Sequence, residues 1–172
     1  ANALTANTTG ANNTAVGHAA LTANTTAGYN VAVGKSALAA NTTGVENVAV
    51  GYNSLDSNTT ANSNTAVGAY SLSANTTGSY NTGIGEAALL TNITGQRLTA
   101  VGKDALRLST GSFNTAVGSF CLDANTTGSQ NSAVGDYTLS ANTTGDFNTA
   151  MGQGGLLSNT TGQHNTALGC NS

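Results

Sequence analysis

Apolar and polar positions recur along this chain with a period of 17 residues. Glycines mark the period: Gly17, Gly34, Gly51, Gly68, Gly85, Gly102, Gly118, Gly135, Gly152 and Gly169 are 17 apart, except for a 16-residue step from Gly102 to Gly118. The residue before each glycine is large and apolar, Val in most units and Ile84, Met151 or Leu168 in others. The next one back is Ala, replaced once by Gly83, and the third back is β-branched except at Ser132. A short β-branched run bounded by Asn and Gly predicts a strand. Successive side chains on it alternate in face, so Ala points one way and Thr plus Val the other.

Leu follows each glycine by four residues, from Leu21 to Leu156, with Leu4 opening the series. In most units an Ala lies two places beyond it, and this spacing predicts a second short strand with an inward side. Asn-Thr-Thr-Gly and a later Asn then occupy the turns, where Asn and Gly tolerate left-handed backbone. Helix is excluded by the density of β-branched residues and Gly.

A fixed period of this size implies coils that each touch only their neighbours. The expected fold is all-β: a parallel β-solenoid (β-roll) with one 17-residue coil per repeat, about ten coils and a single array over 1–172. At ~4.8 Å per coil it would be roughly 48 Å long. The alternative is a triple β-spiral, in which each repeat crosses between chains. Stacking places identical residues above one another, so the constant Asn residues should form hydrogen-bonded ladders. Ala with only Gly as a substitute implies a narrow interior. The Val face, apolar as well, needs a covering, and further copies of the chain are the economical one. A homotrimer is expected, with end-to-end filaments as an extension of it.

Composition narrows the function. Charged residues are 6% of the chain, against about 25% in ordinary soluble domains. There is no Pro or Trp, and the net charge of −3 offers no basic footprint for nucleic acid. No apolar run reaches the ~20 residues of a membrane span. Ala1 and Ser172 fall inside repeats without visible caps, so the chain is expected to belong to something longer or to stack on other subunits. Cys121 and Cys170 stand almost three coils apart, about 14 Å at the standard spacing and beyond the ~7 Å reach of a disulfide. Cys121, directly before a Leu, reads as a small apolar filler.

Variable positions should face solvent: one and two after the anchor glycine, and the pair after Thr-Thr-Gly. Seven of the eight aromatics occupy two of these sites, Tyr70, Phe120 and Tyr137 sharing one and Tyr29, Tyr80, Phe113 and Phe147 the other. The repeat is least faithful over 90–110, where Leu98 replaces an Asn, Ile93 interrupts a turn and one residue is missing before Ser109. Three of the four basic residues, Arg97, Lys103 and Arg107, lie there. Tyr70, Phe120, Tyr137, Arg97, Lys103 and Arg107 are therefore the candidate surface-contact residues, with a cell-surface component or glycan as the candidate ligand.

Other chemistry has little footing. Asn-x-Thr sequons recur from Asn7 to Asn159, but coils ~4.8 Å apart leave no room for a glycan on each, and these residues read as the ladder. His18 and His164 have no acidic or thiol partner at a plausible spacing, and no zinc or calcium motif occurs. No catalytic residue, cofactor or metal is expected. Rows of Thr, such as Thr65, Thr82 and Thr99, leave ice binding as a single-face alternative.

The unit Asn-Thr-Ala-Val-Gly-x-x-Ala/Ser-Leu-x-x-Asn-Thr-Thr-Gly resembles repeats of bacterial surface proteins and phage- or virus-type tail fibres. Its Ala-Val-Gly rhythm is also similar to the heads of YadA-type trimeric autotransporter adhesins, which are left-handed parallel β-rolls. The resemblance covers essentially the whole chain, although the adhesin-head repeat is shorter. It implies an extracellular or virion fibre, or an adhesin shaft or head segment, that extends and presents surfaces, with no catalytic residues.

Overall fold

The structure is a computed structural model describing residues 2–172, with ten strands of three residues each. They are β1 (Thr14–Val16), β2 (Val31–Val33), β3 (Val48–Val50), β4 (Thr65–Val67), β5 (Thr82–Ile84), β6 (Thr99–Val101), β7 (Thr115–Val117), β8 (Ser132–Val134), β9 (Thr149–Met151) and β10 (Thr166–Leu168). They form one sheet in chain order, and every pairing is parallel. The chain is thus an all-β parallel β-solenoid of about nine turns, with no helix among the described residues. Each repeat closes on the next within one chain, which is not the crossing path of a triple β-spiral. Register is constant: Thr14 faces Val31, Ala15 faces Ala32 and Val16 faces Val33, and like columns stay aligned to Leu168 opposite Met151.

The alternation within each strand is as expected. Ala32, Ala49, Ala66, Ala100, Ala116 and Ala133 are fully buried, while the residues on either side are half-buried or exposed. Opposite the Ala column stands the Leu column, from Leu21 to Leu139, also fully buried. Ala against Leu makes a core one side chain deep on each side, and burial of the Leu stack supplies about 1.5–3 kcal/mol per side chain.

The second strand is not there. The segment around each Leu is a run of turns, and the Leu itself has a left-handed backbone, with φ of 53° at Leu72 and 50° at Leu38. Two further columns are left-handed: the one two places after the anchor glycine (Tyr70, φ 59°) and the one five before it (Tyr80, φ 63°). Left-handed residues turn the chain at corners, so the period-2 alternation that would have made Leu and the following Ala a strand face does not apply. Such backbone costs roughly 1–2 kcal/mol per L-residue and persists only where surrounding contacts fix it. Here the coils above and below supply those contacts. The anchor glycine is required twice over. At Gly68 φ is 129°, and a Cβ there would stand 2.5 Å from the carbonyl oxygen of Gly85 on the next coil.

Two asparagine columns complete the interior, and they work differently. In one, side chain bonds side chain: Asn24 Nδ2 donates to Asn7 Oδ1 (3.0 Å), Asn41 to Asn24 (3.1 Å), Asn58 to Asn41 (2.9 Å) and Asn75 to Asn58 (3.1 Å). Each amide also donates to the carbonyl three residues on, as Asn75 does to Gly78. In the other, the amide ties successive backbones together. Asn64 Oδ1 accepts the backbone N–H of Asn81 (2.9 Å), and Asn64 Nδ2 donates to the carbonyl of Gly78 (2.9 Å).

Both columns are interrupted at the irregular coil. Ser109 stands in the first, where its Oγ accepts from Asn125 Nδ2 (3.1 Å), and the freed Asn92 Oδ1 accepts the N–H of Gly95 instead (3.0 Å). Leu98 stands in the second and is buried. The missing residue lies after Thr110, not before Ser109. Thr110 still bonds Thr126 as Thr8 bonds Thr25, whereas Gly111 N–H takes the bond that Thr9 makes in a full turn. A shortened turn absorbs the deletion, and β6 pairs β7 in register, Thr99 opposite Thr115.

Candidate functional surfaces

The outer face of the sheet carries the Thr column and, beside it, the Val column. The latter is a continuous apolar stripe from Val16 to Leu168, with Val16 58%, Ile84 40%, Met151 54% and Leu168 71% exposed. Val33, Val50, Val67, Val101 and Val117 between them are half-buried. The Thr residues beside it add methyl groups and hydroxyls without charge.

Seven of the eight aromatics, all but Tyr52, fall on the left-handed columns, which flank the sheet at its two edges. Phe120 and Tyr137 stack on successive coils (5.0 Å between centroids, 11° between planes), and Phe147 stacks on His164 (4.9 Å, 4°). Tyr52 and Tyr70 meet edge to face at 5.2 Å and 84°. Left-handed corners swing these side chains outward, and no β-branched residue occupies either column, since a branched Cβ clashes there. The aromatic sites are thus the same positions that exclude Thr, Val and Ile.

The six candidate surface residues do not converge on one patch. Phe120 and Tyr137 come together, while Tyr70 pairs with Tyr52, which the sequence had set apart from the aromatic columns. Arg97 lies over the ring of Phe113 (5.7 Å) at one edge of the sheet. Lys103 pairs with Glu86 (3.4 Å), both exposed, and Arg107 with the largely covered Asp104 (3.4 Å) at the other, in separate contacts. An exposed pair such as Lys103–Glu86 contributes little stability.

Titratable chemistry is sparse. Burial pushes the carboxyls of Asp56 and Asp123 above the usual carboxylate range, and Oδ1 of each is buried without a hydrogen-bond partner. Interaction with Tyr52 pushes the Tyr70 hydroxyl up. Burial drives the Cys121 thiol up to about 12, and Cys121 is the filler its position suggested, while Cys170 is exposed. No group of three His, Cys, Asp or Glu residues converges among the described residues. Asn24, Asn41, Asn58, Asn75, Asn92, Asn125 and Asn142, all in sequons, are fully buried with their amides in the ladder, so the folded coil has no room for a glycan there.

Compared with protein-family models, curated proteins and solved structures, the chain gives no significant match.

Proposed function

We propose that this chain is a structural segment of an extracellular or virion fibre, or of an adhesin shaft or head. In this reading it extends, resists unfolding and presents surfaces, and it packs against further copies of itself through the outer face of the sheet. The observation that carries the reading is the Val column. Partly exposed apolar side chains follow one another on every coil, and burying what they expose between copies at about 25 cal/mol per Å² would favour the assembly. A homotrimer closes three such faces around one axis without leaving an edge. The uncharged Thr column beside it suits that interior, and the variable, charged and aromatic columns stay outside.

Native mass by light scattering tests the reading. An oligomer that falls to monomers when Val67 and Val101 are replaced by Glu supports it. A stable wild-type monomer refutes it. In a monomer, the four consecutive threonines Thr65, Thr82, Thr99 and Thr115 would be open to solvent in register on one face. That row favours ice binding as the second reading, checked by thermal hysteresis of the same sample.

A further inference from the structure

One pairing of a tyrosine with an acid occurs twice on the edge of the rod that follows the strands. The column two places beyond the anchor glycine contains only two tyrosines, Tyr70 and Tyr137. The column five places beyond it contains only two acids, Asp56 and Asp123. Each acid stands one coil before a tyrosine, at the same 14-residue separation. Each tyrosine also rests against an aromatic ring of the preceding coil, Tyr52 in one case and Phe120 in the other. One coil further on, its column drops to a small residue, Ala87 after Tyr70 and Gly154 after Tyr137. The two sets are four coils apart, roughly 19 Å at the standard spacing.

Each set joins two aromatic rings and an acid, the ring beside Tyr70 coming from the neighbouring column (Tyr52, edge to face) and the ring beside Tyr137 from its own (Phe120, stacked), and such groups do one kind of chemistry well. An aromatic face receives the C–H face of a pyranose, and a carboxylate accepts hydrogen bonds from its hydroxyls. Asp56 and Asp123 are half-buried, with Oδ1 of each shielded and without a partner, so the outer carboxyl oxygen is the acceptor a sugar hydroxyl would meet. A cationic ligand is the poorer match at the first set, which already has a cation of its own: Lys35 Nζ lies 5.5 Å from the centre of the Tyr52 ring.

We propose that Tyr52, Tyr70 and Asp56 form one saccharide-binding site and Phe120, Tyr137 and Asp123 a second, related one, both for neutral sugars. The proposal deepens the surface-presenting role given above and does not depend on the oligomer.

The test is calorimetric titration of the whole chain with neutral trisaccharides: β-1,4-linked glucose, N-acetylglucosamine and mannose, and β-1,3-linked glucose. Two equivalents should bind per chain, with little dependence on salt. Tyr70→Ala should leave one equivalent, and Tyr70→Ala with Tyr137→Ala none. Asp56→Ser with Asp123→Ser should weaken binding roughly tenfold or more. These replacements are safe for the fold, because Ala19 and Ala87 already occupy the tyrosine column with φ of 59° and 57°, and Ser73 and Ser140 occupy the acid column. Three results overturn the proposal: no heat from any trisaccharide up to about 10 mM; an equal loss from Tyr29→Ser and Tyr80→Ser on the other edge; or binding of hexalysine alone at these residues. Light scattering on the same variants reports the assembly separately, so failure of the sites and failure of the fibre reading give different results.

Discussion

Exchanging one side-chain nitrogen for oxygen should have opposite consequences at two positions four residues apart. Asn58 lies in the amide ladder, fully buried. Its Nδ2 donates to Asn41 Oδ1 at 2.9 Å and to the carbonyl of Ala61 at 3.1 Å, while its Oδ1 accepts from Asn75 Nδ2 at 3.1 Å. Asn58→Asp keeps the acceptor and removes both donors, setting a carboxylate against two oxygens with no water between. Two lost hydrogen bonds account for about 2 kcal/mol, and a buried charge facing unpaired acceptors adds about 1–3 more. A loss of roughly 3–5 kcal/mol at pH 7 is expected. Asn62 is the control. Its Oδ1 accepts the N–H of Val45 at 2.8 Å, and in the same column Asp146 already does this for Ser129 at 2.7 Å. Asn62→Asp should therefore change stability by no more than about 0.5 kcal/mol. Urea unfolding followed by far-UV circular dichroism at pH 7 and pH 4 measures both. Part of the Asn58→Asp loss should return at pH 4, because the protonated acid regains one donor. Equal effects at the two positions, or no recovery in acid, would show that the ladder amide is not a donor that the fold requires.

Other outcomes follow from the same geometry. Leu72→Ile should cost about 2–3 kcal/mol and Leu72→Met less than about 1.5, since only isoleucine branches at the Cβ of a left-handed residue; equal midpoints in chemical unfolding would contradict this. Because burial raises the folded-state carboxyls of Asp56 and Asp123 above the ordinary value of 3.8, protonation favours the folded state. Stability should be highest below that value and fall as pH rises through the raised pKa. Asp56→Asn with Asp123→Asn should flatten the profile and stabilise the chain at pH 7, as urea midpoints across pH will show. Under native conditions a thiol reagent should modify one cysteine per chain, Cys170, and reach Cys121 only after unfolding, as read by intact mass.

Much of this architecture is legible in the sequence because stacking is strict. The Ala and Val columns declare their faces through their substitutes, Gly83 inward and Ile84, Met151 and Leu168 outward. The Leu segment misleads for a physical reason: Leu and an Ala two places on satisfy the strand period, and only backbone torsion shows that they do not alternate. A signal was present nonetheless. Three columns exclude Thr, Val and Ile in a chain otherwise full of threonine, which is the steric mark of left-handed corners. Misplacing the deletion has a similar origin. Ser109-Thr110-Gly111 can be aligned in more than one way, and only the hydrogen bonds of Thr110 and Gly111 decide. That the two Asn columns differ in chemistry, and that Tyr52 reaches across columns to Tyr70, depend on side-chain direction, which a periodic pattern does not encode.

The constant spacing of coil partners has a kinetic consequence. Each strand meets residues 17 positions away, or 16 at one step, and no farther. Relative to the chain's length this is a contact order of about 0.1, nearer to helical bundles than to sandwiches or barrels built from strands. Loop closure, which makes most β-proteins slow, is here a short closure repeated from coil to coil. Adding repeats would lengthen the rod without lengthening any closure. The time to form a new coil should then be independent of how many coils already exist, so that growth can keep pace with synthesis or export whatever the final length.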